Sequence, residues 1–155
     1  WFEAHDVDPR RLDALVVART LGGIERAPID ADRLNGMFKG FIDLVFEHDG
    51  RYYVADYKSN WLGREVADYA APALAAAIAQ HRYEMQYCLY LLAVHRQLRA
   101  RLPDYDYDRH IGGAVYVFLR GVDGGAHGVH VDRPPRALIE AMDALFEGAE
   151  ARHGR

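Results

Sequence analysis

The sequence predicts an α/β domain with a mixed central sheet flanked by helices, and three segments carry this prediction. Residues 37–58 hold two runs of β-branched and aromatic residues joined by Asp49-Gly50, a dipeptide typical of two-residue hairpin loops. Residues 72–102 repeat apolar side chains at helical spacing. Residues 112–121, GGAVYVFLRG, form a near-continuous apolar run suited to a central strand. Strands separated by a long helix indicate an α/β fold.

The other elements are predicted from chain breakers. Residues 1–5 alternate in polarity and are expected to end a strand, and residues 6–36 then form a short amphipathic piece and loops. Pro72 suits the first helical position, and we expect the long helix to break near His81. Residues 128–135, GVHVDRPP, are expected to form a short edge strand. A closing helix is predicted from an apolar stripe: Leu138, Ile139, Met142, Leu145 and Phe146.

Composition narrows the class of protein. A chain of 155 residues fits one domain, and 50% hydrophobic with 27% charged residues is the profile of a globular protein. No apolar run reaches the ~20 residues of a membrane span, and the start lacks the build of a secretory signal. Cys88 is the single cysteine, so no internal disulfide and no cysteine zinc cluster can form. We therefore expect a cytoplasmic protein.

The net charge of −4 gives no sign of a uniformly basic surface. This does not exclude DNA as a partner, because a site built from carboxylates is locally negative until a cation fills it. Only two of the 19 basic residues are lysines, Lys39 and Lys58, so each is a candidate for a role that arginine does not fill.

The predicted hairpin brings two acidic residues together. If Asp49-Gly50 is a two-residue loop, Asp43 lies directly opposite Asp56, and Lys58 points to the same face of the sheet. Opposed side chains have Cβ atoms about 4.5–5.5 Å apart, where like charges are destabilising. A divalent cation would compensate, and Mg²⁺ typically takes one or two carboxylates, several waters and substrate phosphate. A three-residue loop would break this pairing.

A simpler interpretation is that each aspartate faces solvent or is hydrogen-bonded locally, as strand aspartates usually are. The surroundings argue against it, because a buried carboxylate pair without a partner takes up a proton instead. Both faces of the two strands are predicted to be at least partly buried, since apolar residues alternate along them: Ile42, Leu44, Phe46, Tyr53, Ala55 and Tyr57. This favours a functional site over packing.

An aspartate, a hairpin and then Asp-x-Lys resembles the pattern of the PD-(D/E)xK nuclease superfamily, which has a restriction-endonuclease-like core. Longer sequence segments resemble, more specifically, the C-terminal nuclease domains of RecB subunits, the beta subunits of bacterial exodeoxyribonuclease V (RecBCD). These segments are KGFIDLVF, GRYYVADYKSNWLG, the QYxLY run at Gln86–Tyr90, and DYDY followed by GGAVYVFLRGVD. The resemblance runs from about Met37 to about Phe146.

The resemblance implies a role for each matched residue. Asp43 and Asp56 would be side-chain ligands of Mg²⁺, with the backbone carbonyl of Tyr57 as a third ligand. Lys58 would be the catalytic lysine that positions or polarises the attacking water. Gln86 and Tyr90 match the family's QxxxY motif and lie four residues apart on one helical face, so both can point at the active-site end of the sheet.

The family's active site also takes a histidine from a helix far upstream of the first strand. This chain begins with Trp1, 42 residues before Asp43, and the extended context of His5 does not match that helix. We therefore expect residues 1–155 to be an N-terminally truncated nuclease domain of a longer helicase–nuclease. Without that histidine we expect the fragment to hold metal weakly or to cut poorly, although the longer protein should do both.

The resemblance implies a Mg²⁺-dependent exodeoxyribonuclease that hydrolyses phosphodiester bonds in single strands during double-strand break repair. RecC- and RecD-type subunits would be its partners. The alternative is a catalytically weak fragment that serves mainly as a docking module for RecA or partner subunits. A phage-type exonuclease of the same superfamily would explain the Asp-x-Lys pattern but not the words SNWLG and FLRGVD.

Few other residues suggest function. Trp61, Arg64 and Arg82 lie nearest the site in sequence and are candidates for DNA contact, weighed against ordinary surface or packing roles. His127 and His130 are expected to be solvated in a hairpin.

Overall fold

The computed structural model describes residues 7–153, with side chains up to Gly148, so the expectation for residues 1–5 lies outside the described residues. Four strands form one sheet in the order β1-β2-β3-β4. The strands are β1 (Leu44–His48), β2 (Arg51–Lys58), β3 (Ile111–Phe118) and β4 (Val129–Asp132). β2 and β3 are parallel, whereas β1 and β4 are antiparallel to their neighbours, so the predicted mixed sheet is confirmed.

Six α-helices accompany the sheet in the described part of the chain: α1 (Pro9–Arg19), α2 (Ala31–Phe38), α3 (Ala71–His81), α4 (Tyr83–Arg101), α5 (Tyr107–His110) and α6 (Arg136–His153). The sequence predicted only one short amphipathic piece before the hairpin, but α1 and α2 both form there. Asp8 and Asp30 cap them by accepting hydrogen bonds from backbone N–H groups of their first turns. No helix among the described residues has the length and apolar character needed to cross a membrane.

The hairpin between β1 and β2 has the predicted two-residue loop. Asp49 (φ 50°) and Gly50 (φ 74°) both adopt positive φ, as a type I′ turn requires. His48 therefore pairs with Arg51, and the same register continues to Leu44 opposite Ala55. The register from which the acidic pair was predicted is thus confirmed.

The predicted break in the long helix falls at Arg82, which adopts a left-handed conformation (φ 58°) between α3 and α4. Its guanidinium is fully buried and pairs with Asp13 of α1 and Glu84 of α4, and it also donates to the carbonyl of Ala27 at 2.6 Å. Arg26 reaches the same Glu84 carboxylate at 3.1 Å. These buried charges join α1, the segment after it and α4. Arg82 is therefore excluded as a DNA contact.

Helix α4 covers one face of the sheet. Its Gln86 contacts Lys58 of β2 and Tyr116 of β3, and its Tyr87 hydroxyl donates to Asp132 of β4 at 2.5 Å. The opposite face, here called the outer face, carries the side chains of alternate residues. Its exposed apolar members are Leu44, Tyr57, Val129 and Val131, at 41%, 50%, 38% and 59% exposure.

The expectation that both faces of β1 are at least partly buried is wrong. Leu44 and Val45 point to opposite faces and are 41% and 45% exposed. β1 lies at the edge of the sheet, and its contacts among the described elements are mainly with β2. In β2, by contrast, Val54, Ala55 and Asp56 are all buried.

The expectation that His130 is solvated is also wrong. Its ring is partly buried on the face covered by α4 and stacks on Tyr87 at 6.5 Å between centroids. Burial lowers the pKa of His130, and the charge of Asp132 only partly opposes that effect. His127 is more exposed and pairs with Asp123. Cys88 is buried in the core.

Removing one partner from the buried Arg82 cluster should destabilise the whole domain. We expect Asp13→Ala to lower the free energy of unfolding by roughly 3–5 kcal/mol, because it leaves a buried guanidinium without one of its anions. Urea denaturation would measure the loss. Glu140→Ala, which breaks the exposed pair with Arg136, is the control and should cost less than ~1 kcal/mol. Equal losses in the two variants would contradict the assignment.

Acid should weaken the fold partly through His130. Its pKa in the folded state lies below the ordinary value, so the unfolded chain takes up the proton first as the pH falls. Its contribution is complete at neutral pH and is lost below about pH 6.5. We expect Tm to fall between pH 7.5 and 5.5, and to fall less in His130→Phe. A variant with the same pH dependence as the wild-type chain would refute this.

Candidate active site

The residues predicted to be functional meet where β1 begins and β2 ends. Asp43 directly precedes β1, one position beyond the last assigned pair, Leu44 with Ala55. Asp43 itself lies in a bend outside the ladder; the register extended by one residue would set it opposite Asp56. Pairs at this position of an antiparallel ladder exchange no backbone hydrogen bonds and bring their side chains closest together.

Asp43 is held at the free edge of β2. Its exposed carboxylate accepts a hydrogen bond from the backbone N–H of Tyr57 at 3.0 Å. On the other side, the carbonyl of Lys58 accepts from Leu119 N–H at 3.0 Å. Because backbone groups of successive strand residues face opposite edges, the carbonyl of Tyr57 faces the same edge as the Asp43 carboxylate. The Asp43 carboxylate and the Tyr57 carbonyl therefore share this edge of β2.

Asp56 is a carboxylate enclosed by the sheet and α4, with 5% of its surface exposed. Burial raises its pKa, the hydrogen bond and charge of Lys58 lower it, and the negative charge of Asp43 raises it. The influence of Asp43 agrees with two acidic groups close together. Lys58 Nζ lies 2.5 Å from Asp56 Oδ2, so this lysine supplies the neutralising charge.

The ammonium of Lys58 has further partners on the helix-covered side. Nζ donates to Gln86 Oε1 at 2.9 Å. It also lies 4.0 Å from the ring centroid of Tyr83 and 5.0 Å from that of Tyr116, within the range of cation–π attraction. Lys58 is therefore held by a carboxylate, an amide oxygen and two aromatic rings.

Gln86 and Tyr90 extend this network to the segment before β1. Gln86 Nε2 donates to the Tyr90 hydroxyl at 3.1 Å, and that hydroxyl donates to the carbonyl of Phe41 at 2.8 Å. A Cβ at Gly40 would lie 2.9 Å from the same hydroxyl and 3.0 Å from the carbonyl oxygen of Met37, so a larger residue there would crowd this contact. Burial raises the pKa of Tyr90 to about 12, which keeps it a donor. One hydrogen-bonded chain thus runs from Lys58 to the residue two positions before Asp43.

Sequence reasoning missed Tyr83 and Tyr116. Tyr83 lies three residues before Gln86, so helical spacing alone would place it on the same face. Tyr116 pairs with Asp56 across the parallel strands β2 and β3, and its hydroxyl donates to Gln86 Oε1 at 2.9 Å. That neighbour relation is a tertiary feature that the sequence does not display. Burial raises the pKa of Tyr116, so its hydroxyl stays protonated.

The two remaining candidates for DNA contact are accessible. Arg64 is exposed, and Trp61 is 62% exposed three residues after Lys58. The guanidinium of Arg120 lies 5.9 Å from the Trp61 ring and donates to the Ser59 carbonyl at 3.0 Å.

The donor set suits a hard divalent cation. No group of three or more histidine, cysteine, aspartate or glutamate side chains gathers anywhere in residues 7–148, so a metal here would depend on two carboxylates and backbone oxygen. Mg²⁺ is typically bound in proteins by one or two carboxylates, with water and phosphate filling the other positions. A buried carboxylate beside a second one, with a raised pKa, is also a site that a cation would stabilise.

Comparison with known proteins agrees with this geometry. The sequence profile of the PD-(D/E)XK nuclease superfamily matches residues 5–152. RecBCD enzyme subunit RecB of Escherichia coli K12 is 54% identical over 123 residues, which cover 78% of this chain and 10% of that protein. The RecB subunit of Haemophilus influenzae is 47% identical over 116 residues, covering 74% of this chain and 10% of the relative. That of Mycobacterium tuberculosis H37Rv is 41% identical over 123 residues, covering 74% and 11%.

The chain thus spans about a tenth of the length of these relatives. These matches confirm the resemblance to RecB nuclease domains that the sequence motifs predicted. The α/β fold class is confirmed as well. Members of this superfamily use divalent metal ions. On the combined basis of profile, relatives and a mixed sheet with an Asp-x-Lys strand, the chain belongs to the PD-(D/E)XK nuclease superfamily.

Proposed function

We propose that this domain is a Mg²⁺-dependent exodeoxyribonuclease that hydrolyses phosphodiester bonds in DNA single strands. The observation that carries the proposal is the contact between Lys58 and the buried carboxylate of Asp56, with Asp43 held at the same edge of the sheet. A nuclease needs a cation site for the phosphate and a charged group beside the attacking water. These three side chains offer both.

Asp43, Asp56 and the carbonyl of Tyr57 would hold the cation. Asp56 Oδ2 is engaged by Lys58, which leaves Oδ1 for the ion. Likewise, Asp43 Oδ2 accepts from Tyr57 N–H, and the other oxygen of this exposed carboxylate can face the ion. When bound, the ion supplies Lewis acidity, neutralises phosphate charge and lowers the pKa of a coordinated water.

Lys58 would act on the attacking water and on the charge that develops at phosphorus. An ammonium is a compact charge with three donors. With one donor on Asp56 and one on Gln86, a third remains for water or a phosphoryl oxygen. Preorganised donors aimed at developing charge are a major source of rate acceleration. The amide of Gln86 would support the Lys58 ammonium directly. Tyr90 would fix that amide by linking it to the carbonyl of Phe41.

In the cell, we propose that the domain is part of a longer helicase–nuclease of the RecBCD type. Curated relatives named as RecBCD subunits, in which the matched segment is only about a tenth of the length, support this proposal. Single-stranded ends produced during double-strand break repair would be the substrate, in the cytoplasm. RecC- and RecD-type subunits would be partners in the assembled enzyme.

A second role, as a docking module, is favoured by the outer face. Parallel strands normally have both faces covered, because their side chains are apolar on both sides. Here Tyr57 of the parallel strand β2 remains 50% exposed on the face opposite α4, and Val129 and Val131 of the antiparallel edge strand β4 are 38% and 59% exposed on the same face. Packing against the rest of a longer chain or against partner subunits, with RecA as a further candidate, would bury them.

The catalytic assignment predicts which variants lose cleavage. Asp56→Asn and Lys58→Ala should each lower the rate of Mg²⁺-dependent cleavage of a labelled single strand by at least about a hundredfold, because each removes a group needed for charge stabilisation. Circular dichroism should show that the fold is retained. Lys39→Ala, at the chain's other lysine, is the matched control and should cleave at the wild-type rate. Wild-type cleavage by a folded Asp56→Asn or Lys58→Ala protein would refute the assignment.

The cation assignment can be tested without activity. Mg²⁺ should raise Tm of the wild-type chain, because a ligand that binds only the folded state stabilises it. EDTA should reverse the rise, and Asp43→Asn should reduce it strongly. Asp49→Asn, in the exposed hairpin loop, is the control and should keep the full shift. Equal shifts in wild-type and Asp43→Asn proteins would place the cation elsewhere.

A further inference from the structure

The position of the Lys58 ammonium requires more than its ion pair. A lysine side chain is flexible, and a catalytic group must be held within about 0.5 Å of its working position. Asp56 is the lysine's acidic partner, yet the proposed function also gives Asp56 to the cation. An ion that draws electron density from this carboxylate weakens its hold on Lys58. Other contacts must then fix the ammonium, and those contacts are on the side of α4.

Two tyrosine rings form a corner around Lys58. Their centroids lie 4.0 Å (Tyr83) and 5.0 Å (Tyr116) from Nζ, and the rings are 5.9 Å apart at an interplanar angle of 38°. A cation in this corner is attracted by both ring faces, and the attraction is strongest where water is excluded. Tyr116 is fully buried, so its ring is part of the core. The corner is therefore rigid on at least one side.

Tyr83 is hydrogen-bonded to the segment that follows β2. Its hydroxyl donates to Asn60 Oδ1 at 3.1 Å, two residues after Lys58. At the other end, its backbone directly follows Arg82, whose guanidinium is fixed by buried carboxylates. Tyr83 thus bridges the start of α4 and the chain leaving β2, with its ring against the ammonium.

Tyr116 also determines which end of the Gln86 amide faces Lys58. An amide group can adopt two orientations that differ by exchange of oxygen and nitrogen. Here the Tyr116 hydroxyl donates to Oε1 at 2.9 Å, while Nε2 donates to the Tyr90 hydroxyl at 3.1 Å. Both bonds favour the orientation in which the oxygen accepts from Lys58. The reversed amide would place an NH₂ group against the ammonium.

We propose that Tyr83 and Tyr116 are positioning residues that hold the Lys58 ammonium at the active site, Tyr83 by its ring and Tyr116 by its ring and its bond to Gln86. This inference rests on the proposed function of Lys58. It assigns to the two tyrosines no contact with DNA and no proton transfer. Its consequence is that the tyrosine rings affect turnover through the location of Nζ, while substrate binding is little changed.

The first test reads the position of Lys58 directly and needs no activity. The chain has only two lysines, so labelling with ¹³C,¹⁵N-lysine gives two sets of side-chain NMR signals, and Lys39→Arg identifies them. The Hε protons of Lys58 should be shifted upfield by the neighbouring rings. We expect Tyr83→Leu to remove most of that shift and to increase side-chain motion, and Tyr83→Phe to retain it.

Tyr53→Leu is the matched control. Tyr53 lies on the same strand as Lys58 but stacks on Phe46 at 5.1 Å, on the outer face. It should leave the Lys58 signals unchanged. Lys58 signals that are the same in wild-type, Tyr83→Leu and Tyr83→Phe proteins would overturn the proposal, whether or not the chain cleaves DNA.

The second test separates kcat from KM for single-strand cleavage. Tyr83→Leu should lower kcat roughly tenfold to a hundredfold, as expected for a small displacement of a catalytic group, with KM within about threefold of wild type. Tyr83→Phe should recover most of kcat, and Tyr116→Phe should fall between the two. An increase in KM with unchanged kcat would assign Tyr83 to DNA binding and overturn the positioning role. Loss of cleavage in Lys58→Ala with full kcat in Tyr83→Leu would do the same while leaving the proposed function intact.

Discussion

Asp56 is a carboxylate inside an otherwise apolar part of the sheet, and the site depends on how that charge is compensated. Burial alone favours the neutral acid, and the nearby charge of Asp43 adds to that preference. Lys58 opposes both effects from 2.5 Å away, because two residues along a strand is the shortest separation that returns to the same face. The Asp-x-Lys spacing is thus a consequence of strand geometry combined with the need for a countercharge.

The same need for compensated charge recurs at the start of α4. Arg82 ends α3 in a left-handed conformation, and its buried guanidinium is held by Asp13 and Glu84. The fixed conformation of Arg82 sets the direction of α4 relative to α3. Gln86 and Tyr90, at one and two turns along α4, then face β2 and the segment before β1. A structural ion cluster and a proposed catalytic one are therefore joined by a single helix.

Local chemistry explains which parts of this arrangement could be predicted. Asp49-Gly50 determines the hairpin register because positive φ at both positions is specific to one turn type, and the register in turn placed Asp43 beside Asp56. The sequence predicted a break near His81, one residue before Arg82, but not the burial of the Arg82 guanidinium, because one of the anions that hold it, Asp13, comes from a distant segment. Likewise, the exposure of β1 reflects its edge position. The location of Tyr116 depends on β2 and β3 being parallel neighbours, a relation made only when the sheet assembles.

The strand that carries the site has two chemically different sides, and Tyr57 connects them. Asp56 and Lys58 point toward α4, whereas the side chain of Tyr57 points outward and is half exposed. Its backbone N–H meanwhile binds Asp43, and its carbonyl faces the same edge. A neighbour that settles on the outer face would thus press on the one residue that lies between the acid and the lysine. Packing on the outer face and the geometry of the proposed site would then be linked through a single residue.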